Sequence, residues 1–297
     1  GAPLSLVEQP PLLEAKAAPH AYHVHDPQHP TAGGRAADGA TEWRRHGLLH
    51  VIVTGLTAPA AGDAFAQTHA IFQRFAQMLE ARGMRLADDA LRTWIYVQNL
   101  DTDYQGVVRA RREFFTACGL TADTHYIAST GIAGGAGDPA VHVAMDVYAV
   151  RGLQPGQVQY LEALDHLSPT HRYGVTFERG TAITYGDRRH LLLSGTASID
   201  ADGQIVHPGD VVRQLDRTLE NMRALLRNGG ADLDDMTHLL VYLRDPSDCR
   251  LIERALRREL PDLPYLMLQA PVCRPGWLIE LEGTAVKLVD TPEYAPF

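Results

Sequence analysis

The chain has 297 residues, and at roughly 150 residues per domain it has room for two domains with sizeable cores. An apolar share of 45% and a charged share of 21% are those of an ordinary globular protein, which excludes wholesale disorder and collagen-like repetition. The net charge of −9, from 27 basic and 36 acidic side chains, argues against nucleic acid or an anionic membrane as the main partner, since both require a basic face. A small anionic ligand, by contrast, needs only two or three well-placed arginines. Cys118, Cys249 and Cys273 lie far apart, without the spacing of a disulfide framework or a zinc site. No apolar run approaches the ~20 residues of a membrane span and no basic-then-apolar leader opens the chain, so a cytoplasmic setting is expected.

Residues 1–45, rich in Pro, Ala, Gly and His without a steady period, read as an irregular lead-in. His20, His23, His25 and His29 lie within it, but no carboxylate or thiol completes a coordination set, and no metal is expected. The remainder is one pattern written twice. Each copy opens with a strand, Leu48–Gly55 and His190–Ala197. A long amphipathic helix follows, marked by Phe65, Ile71, Phe72, Phe75, Met78 and Leu79 in one half and by Val211, Val212, Leu215, Leu219, Met222, Leu225 and Leu226 in the other. Gly83 and Gly229-Gly230 stand where such helices end. A second strand (Thr93–Val97; Thr237–Leu243), an acidic turn, a second helix (Tyr104–Phe115; Cys249–Leu260) and a last strand (Val141–Val150; Trp277–Val286) complete each copy. The expected fold is α+β, two related domains packed as an internal pseudo-repeat over 46–152 and 181–297. The linker is 153–180, with a short helix allowed over Val158–Leu167. Ala128–Gly135 is glycine-rich but lacks a phosphate-loop lysine and is expected to be a flexible turn between strands.

The copies differ where chemistry is expected. Aligning the last strands places Glu280 opposite Ala144 and Glu282 opposite Asp146. Alternate side chains share a face, so Ile279 and Leu281 cover the helices while Glu280 and Glu282 face the other half of the molecule. A buried carboxyl beside a second carboxylate has its pKa raised and becomes a general acid usable near neutral pH. The spacing alone also allows a surface strand with two solvated glutamates. Arg111 lies near i+7 from Tyr104 on one helix face. Arg179 precedes the second copy, and Arg274 adjoins Cys273 ahead of the glutamate strand. Arginine suits carboxylates because its planar fork makes two parallel charge-assisted bonds.

The second copy resembles the YjgF-type reactive-intermediate deaminases through Ser194-Gly195-Thr196-Ala197, Gly209–Gln214, Leu219–Met222, Val241–Asp245 and Leu278–Glu282. Those deaminases place an arginine fifteen positions before the strand glutamate; here stands Tyr265, which disfavours imine deamination. Over residues 45–290 the chain is similar to the chorismatases, through Thr93–Tyr96, Asp103-Tyr104 with Ala110-Arg111, Ala128–Ile132, Arg172-Tyr173-Gly174, Phe177-Glu178-Arg179, and Val272-Cys273-Arg274 running into Ile279–Glu282. The resemblance implies two YjgF-like (chorismate-mutase-like) domains and cleavage of chorismate without metal or cofactor. It assigns Glu280 as the acid, Cys273 a part in shaping the pocket or moving a proton, and Tyr104, Arg111, Tyr173, Arg179 and Arg274 to substrate binding. The Cys-Arg pair fits the branch that forms pyruvate and 3-hydroxybenzoate, with 4-hydroxybenzoate as a further product. Hydrolysis of chorismate to a non-aromatic dihydrodiol, imine deamination and non-catalytic ligand binding are the rival readings. The expected assembly is a monomer or a homotrimer.

Overall fold

The computed structural model describes residues 4–13, 15–24 and 33–297; His25 and His29 lie outside them. The first half contributes β1 (Gly33–Arg35), β2 (Thr41–Arg45), β3 (Leu48–Thr57), α1 (Ala64–Glu80), the single turn α2 (Leu86–Asp89), β4 (Ala90–Val97), α3 (Leu100–Ala117), β5 (Ala128–Ala133) and β6 (Val143–Arg151). The second half contributes β7 (Val158–Tyr160), β8 (Gly180–Thr184), β9 (Arg188–Ala197), α4 (Val211–Asn228), β10 (Met236–Leu243), α5 (Cys249–Glu259), β11 (Tyr265–Gln269) and β12 (Ile279–Leu288). Each half forms one six-stranded sheet, ordered β1-β2-β3-β6-β4-β5 and β7-β8-β9-β12-β10-β11. Only the last pair in each sheet, β4 with β5 and β10 with β11, is parallel. The repeat therefore extends to the whole topology, α+β in both halves.

The amphipathic faces do what their spacing requires. Ile71, Phe72, Phe75, Met78 and Leu79 of α1 are buried in one core, and Leu215, Leu219, Met222, Leu225 and Leu226 of α4 in another. Both helices start on an aspartate N-cap: Asp63 accepts from the Ala66 N–H (2.9 Å) and Asp210 from the Arg213 N–H (3.0 Å). No helix among the described residues is long and apolar enough to cross a membrane.

Three local expectations are corrected. Ala128–Ala133, expected as a flexible turn, is strand β5, paired in parallel with β4. Its small residues answer to close packing, because a Cβ added at Gly131 would lie 3.3 Å from the Tyr104 ring. The stretch open to a helix over Val158–Leu167 starts instead as β7, paired antiparallel with β8. The lead-in is also more ordered than its composition suggests. It holds β1 and β2, and its residues 8–12 bind the edge strands of both sheets: Glu8 N–H donates to the Gly135 carbonyl (2.8 Å) and Leu12 N–H to the Met267 carbonyl (2.9 Å). Backbone pairing satisfies exposed sheet edges whatever the side chains are, so composition does not reveal it.

A pair of glutamines carries the repeat into the loops. Gln67 of α1 donates to the Gly62 and Ala140 carbonyls and accepts from the His142 N–H. Gln214, its counterpart on α4, donates to the His207 and Gly276 carbonyls and accepts from the Leu278 N–H. Gln214 is fully buried and pins the loop that leads into β12. Gln214→Ala strips partners from these buried backbone groups, and a loss of about 2–3 kcal/mol in unfolding free energy is expected by denaturant titration.

Candidate active site

β12 lies between β9 and β10, with Glu280 opposite Ala197 on one side and Tyr242 on the other. Ile279 and Leu281 point into the core beneath α4. Glu280 and Glu282 point the opposite way, into the seam with the first half, and both are buried. The seam is made by β5 lying against β9. The Ser129 N–H donates to Ser194 Oγ (2.9 Å) and the Gly195 N–H to Thr130 Oγ1 (2.9 Å).

The register of β9 against β12 shifts between the pairs Leu281–Thr196 and Gly283–Leu193, which places Gly195 within a bulge. A Cβ added there would stand 2.1 Å from Glu280 Oε1 and 2.9 Å from its Cδ. The Glu280 carboxyl thus rests on the bare α-carbon of Gly195. In the first half the bulge falls at Gly55, whose N–H donates to Asp146 (2.6 Å), and the position equivalent to Glu280 is Ala144. The repeat carries the acid in one half only.

A cavity of about 280 Å³ opens over Glu280. Tyr104 and Arg111 reach it from α3, Ser129 and Gly131 from β5, Phe177 and Arg179 from the segment before β8, and Cys273, Arg274 and Trp277 from the loop before β12. Six of the seven side chains singled out in the sequence, Glu280, Cys273, Tyr104, Arg111, Arg179 and Arg274, therefore converge on one cavity. The backbone of Tyr173 lies in the helical turn Thr170–Tyr173, next to the lining residue Gly174; its side chain lies outside what the structure describes.

The two inner arginines are almost fully buried. Arg111 donates from Nε to Thr176 Oγ1 (3.2 Å) and from Nη1 to Ser129 Oγ (3.4 Å), while Arg179 donates to the Ser168 carbonyl (2.9 Å). Their guanidinium carbons lie 5.8 and 5.5 Å from the centroid of the Phe177 ring, so one aromatic ring braces two cations. Arg274 is differently engaged: it donates to the Gly203 carbonyl (2.9 Å) and lies over the Trp277 ring.

Burial, then the nearby charge of Glu282, pushes the Glu280 carboxyl up to about 8, against the pull of Arg179 and Arg92. Burial, then Glu280, pushes the Cys273 thiol up to about 12, against the pull of Tyr104 and Arg274. At neutral pH Glu280 and Cys273 both carry their protons. Among the described residues no side chain or backbone N–H donates to Glu280, whereas Glu282 accepts from Arg92, Thr130 and Tyr242 (2.5 Å for Tyr242). The arrangement offers a buried proton donor beside two buried cations, the set needed to protonate an anion.

Sequence reasoning placed Glu282 beside Glu280 but missed Gly195, Ser129, Phe177, Trp277 and Arg92 as parts of this site. Arg92 left a signal, being the charged residue of strand Ala90–Val97. The others are ordinary strand and loop residues whose roles depend on contacts made only in the folded chain.

The endoribonuclease L-PSP family model matches residues 180–287. The chain is 25% identical over 252 residues to a 3-hydroxybenzoate synthase of Streptomyces hygroscopicus, covering 77% of this chain and 72% of that one. The second half is 30% identical over 97 residues to the 3-aminoacrylate deaminase RutC of Acinetobacter baylyi, covering 32% of this chain and 77% of that protein. Among solved structures a chorismatase superposes with a TM-score of 0.69 at 25% identity, covering 85% of this chain and 78% of that one. The second half belongs to the endoribonuclease L-PSP (YjgF-like) family, and the chain as a whole is an enzyme of the chorismatase type.

Two outcomes follow from the geometry. Gly195→Ala drives the Glu280 carboxyl from its seat, and turnover should fall by about 100-fold in steady-state assays while the circular dichroism spectrum is kept. The folded protein also holds a proton on Glu280 that the unfolded chain releases between its ordinary value of 4.5 and about 8. This group therefore favours the fold below that window and loses its contribution as pH rises through it, by about 1.4 kcal/mol per unit. The melting temperature of Glu280→Gln should exceed that of the parent by a margin that grows from pH 5 to pH 8 and levels off above.

Proposed function

We propose that the enzyme cleaves chorismate, with Glu280 as the general acid, pyruvate as one product and 3-hydroxybenzoate as the ring product. The carrying observation is a buried carboxyl, pushed up to about 8 by burial and by Glu282, in one cavity with two buried arginines, Arg111 and Arg179. The names of the 3-hydroxybenzoate synthase and the chorismatase to which the chain is similar support the substrate.

Chorismate is a dianion carrying an enol-ether side chain on a ring that becomes aromatic easily. Arg111 and Arg179 take its carboxylates through charge-assisted bonds, which are strong in a site shut off from water. Tyr104 and Tyr173 serve as hydroxyl donors, and Arg274 closes the wall beside Cys273. Glu280 gives its proton to the side-chain methylene carbon, and the enol ether becomes an oxocarbenium ion balanced by the new Glu280 carboxylate. Breaking the ether bond to the ring leaves the electron pair on the oxygen that departs in pyruvate. Capture by the neighbouring ring hydroxyl, with proton loss and aromatisation, consumes no water and yields a hydroxybenzoate. Capture by water yields the dihydrodiol instead. Cys273, held as a neutral thiol, shapes the pocket against the ring rather than acting as a base.

The test is to mix purified protein with chorismate, follow pyruvate release and identify the ring product by chromatography. Pyruvate with 3-hydroxybenzoate is expected; a dihydrodiol would move the enzyme to the hydrolytic branch, and no pyruvate would overturn the reading. Glu280→Gln should lower kcat by about 100- to 10,000-fold, the usual share of a general acid, while chorismate still binds in calorimetry. For the parent, activity should decline on the alkaline side with an apparent pKa near 8.

A further inference from the structure

The largest buried charged group that this mechanism does not use is Arg92. Its guanidinium lies at the seam on β4 of the first half and donates to Glu282 Oε2 on β12 of the second. The Thr130 hydroxyl joins it, donating to the same oxygen while accepting from Arg92 and from the Gly195 N–H. Tyr242 from β10 donates to the other oxygen at 2.5 Å. Arg92 and Glu282 are each 2% exposed. Burying such a pair stabilises a fold little and often costs it stability relative to apolar side chains of the same volume, so its place beside the acid calls for another reason.

That reason lies in the strand. Glu282 shares a face with Glu280 two residues away, and its oxygens hold three donors. Hydrogen bonds of this kind favour the charged form of a carboxylate, and a charge there repels a second one on the same face. Glu280 lies on the bare Gly195 α-carbon, and no described donor reaches it. We propose that Glu282, clamped as an anion across the seam by Arg92, Thr130 and Tyr242, is the positioning residue that keeps the proton on Glu280. Docking the first half onto the second thereby sets the acid as well as closing the cavity.

The groups facing the two carboxyls fit this division. Glu280 faces Arg179 from the segment before β8, Cys273 from the preceding loop, Tyr104 from α3 and Arg92 from β4. Glu282 faces Arg92 and Tyr96 from β4, and Tyr242 and His238 from β10. Burial keeps the tyrosines neutral and pushes His238 down to about 4. Of the charge effects on Glu280 that of Glu282 is the largest, and it exceeds that of Arg92.

The inference deepens the proposed function and rests on it for its kinetic reading, and a second reading needs no substrate. Glu282→Gln should move the alkaline limb of the kcat/KM profile toward acid by at least about one pH unit, within the one to three units typical of a close charge. Because Glu282→Gln leaves Arg92 buried without its anion, Arg92→Gln combined with Glu282→Gln is the companion variant. It removes the pair as a whole and should move the limb the same way by less. Independently of activity, the stabilising effect of Glu280→Gln should level off at a lower pH in both backgrounds than in the parent, read by melting temperature. A lower kcat with an unmoved limb and an unmoved plateau would reduce the pair to structure and overturn the inference. A moved plateau without chorismate turnover would uphold the inference while removing the chorismate reading.

Discussion

Two carboxyl groups on one face of a buried strand are costly to charge together, and the seam between the halves bears that constraint. Glu280 and Glu282 point off β12 into a water-poor gap, where an isolated anion is costly. One finds three donors and the other finds the bare α-carbon of a glycine. Unequal surroundings push the Glu280 carboxyl up to about 8 while Glu282 keeps three donors, and the proposed reaction uses that difference.

Duplication makes the asymmetry possible. Both halves keep the same strand order, the same bulge between their third and last strands, and the same glutamine holding the loop before the last strand. At the bulge they part. The Gly55 N–H bonds Asp146 within its own half, whereas the Gly195 N–H bonds Thr130 of the other half. That exchange places β5 across the face of β9 and brings Arg92 to Glu282. The first half gives up an acid of its own, carrying Ala144 in that place, and supplies Tyr104, Arg111 and the clamp on Glu282. Neither half contains the whole cavity, which matches a ligand with charge at both ends.

Much of this was legible in the sequence, for identifiable reasons. The helical faces of α1 and α4 and the alternation along β12 are periodic signals that tertiary packing had only to respect, and the comparison of terminal strands singles out Glu280. β5 was not legible, because Ala128-Ser129-Thr130-Gly131 lacks the bulky residues of a strand. Its composition is set by Tyr104 of its own half and β9 of the other pressing on it, contacts that only the folded chain brings together. The strap at residues 8–12 was hidden for a similar reason, since backbone bonds hold much of it, with the Gln9 side chain donating to the Ala133 carbonyl at 2.7 Å. Gly195 was visible as part of a motif, but its purpose is fixed only by the carboxyl lying on it. Local pattern shows where the elements form, whereas the gathering of these side chains on one cavity is visible only in the folded chain.

The most direct test of this account is the titration of the Glu280 carboxyl itself, followed by the 13C shift of its side-chain carbon in labelled protein, with Glu280→Gln identifying the resonance. A midpoint near 8 in the ligand-free enzyme is the result the account predicts. A midpoint near 4.5, the ordinary value for a solvated glutamate, would contradict it, because the cavity would then hold two anions at neutral pH and no proton to give.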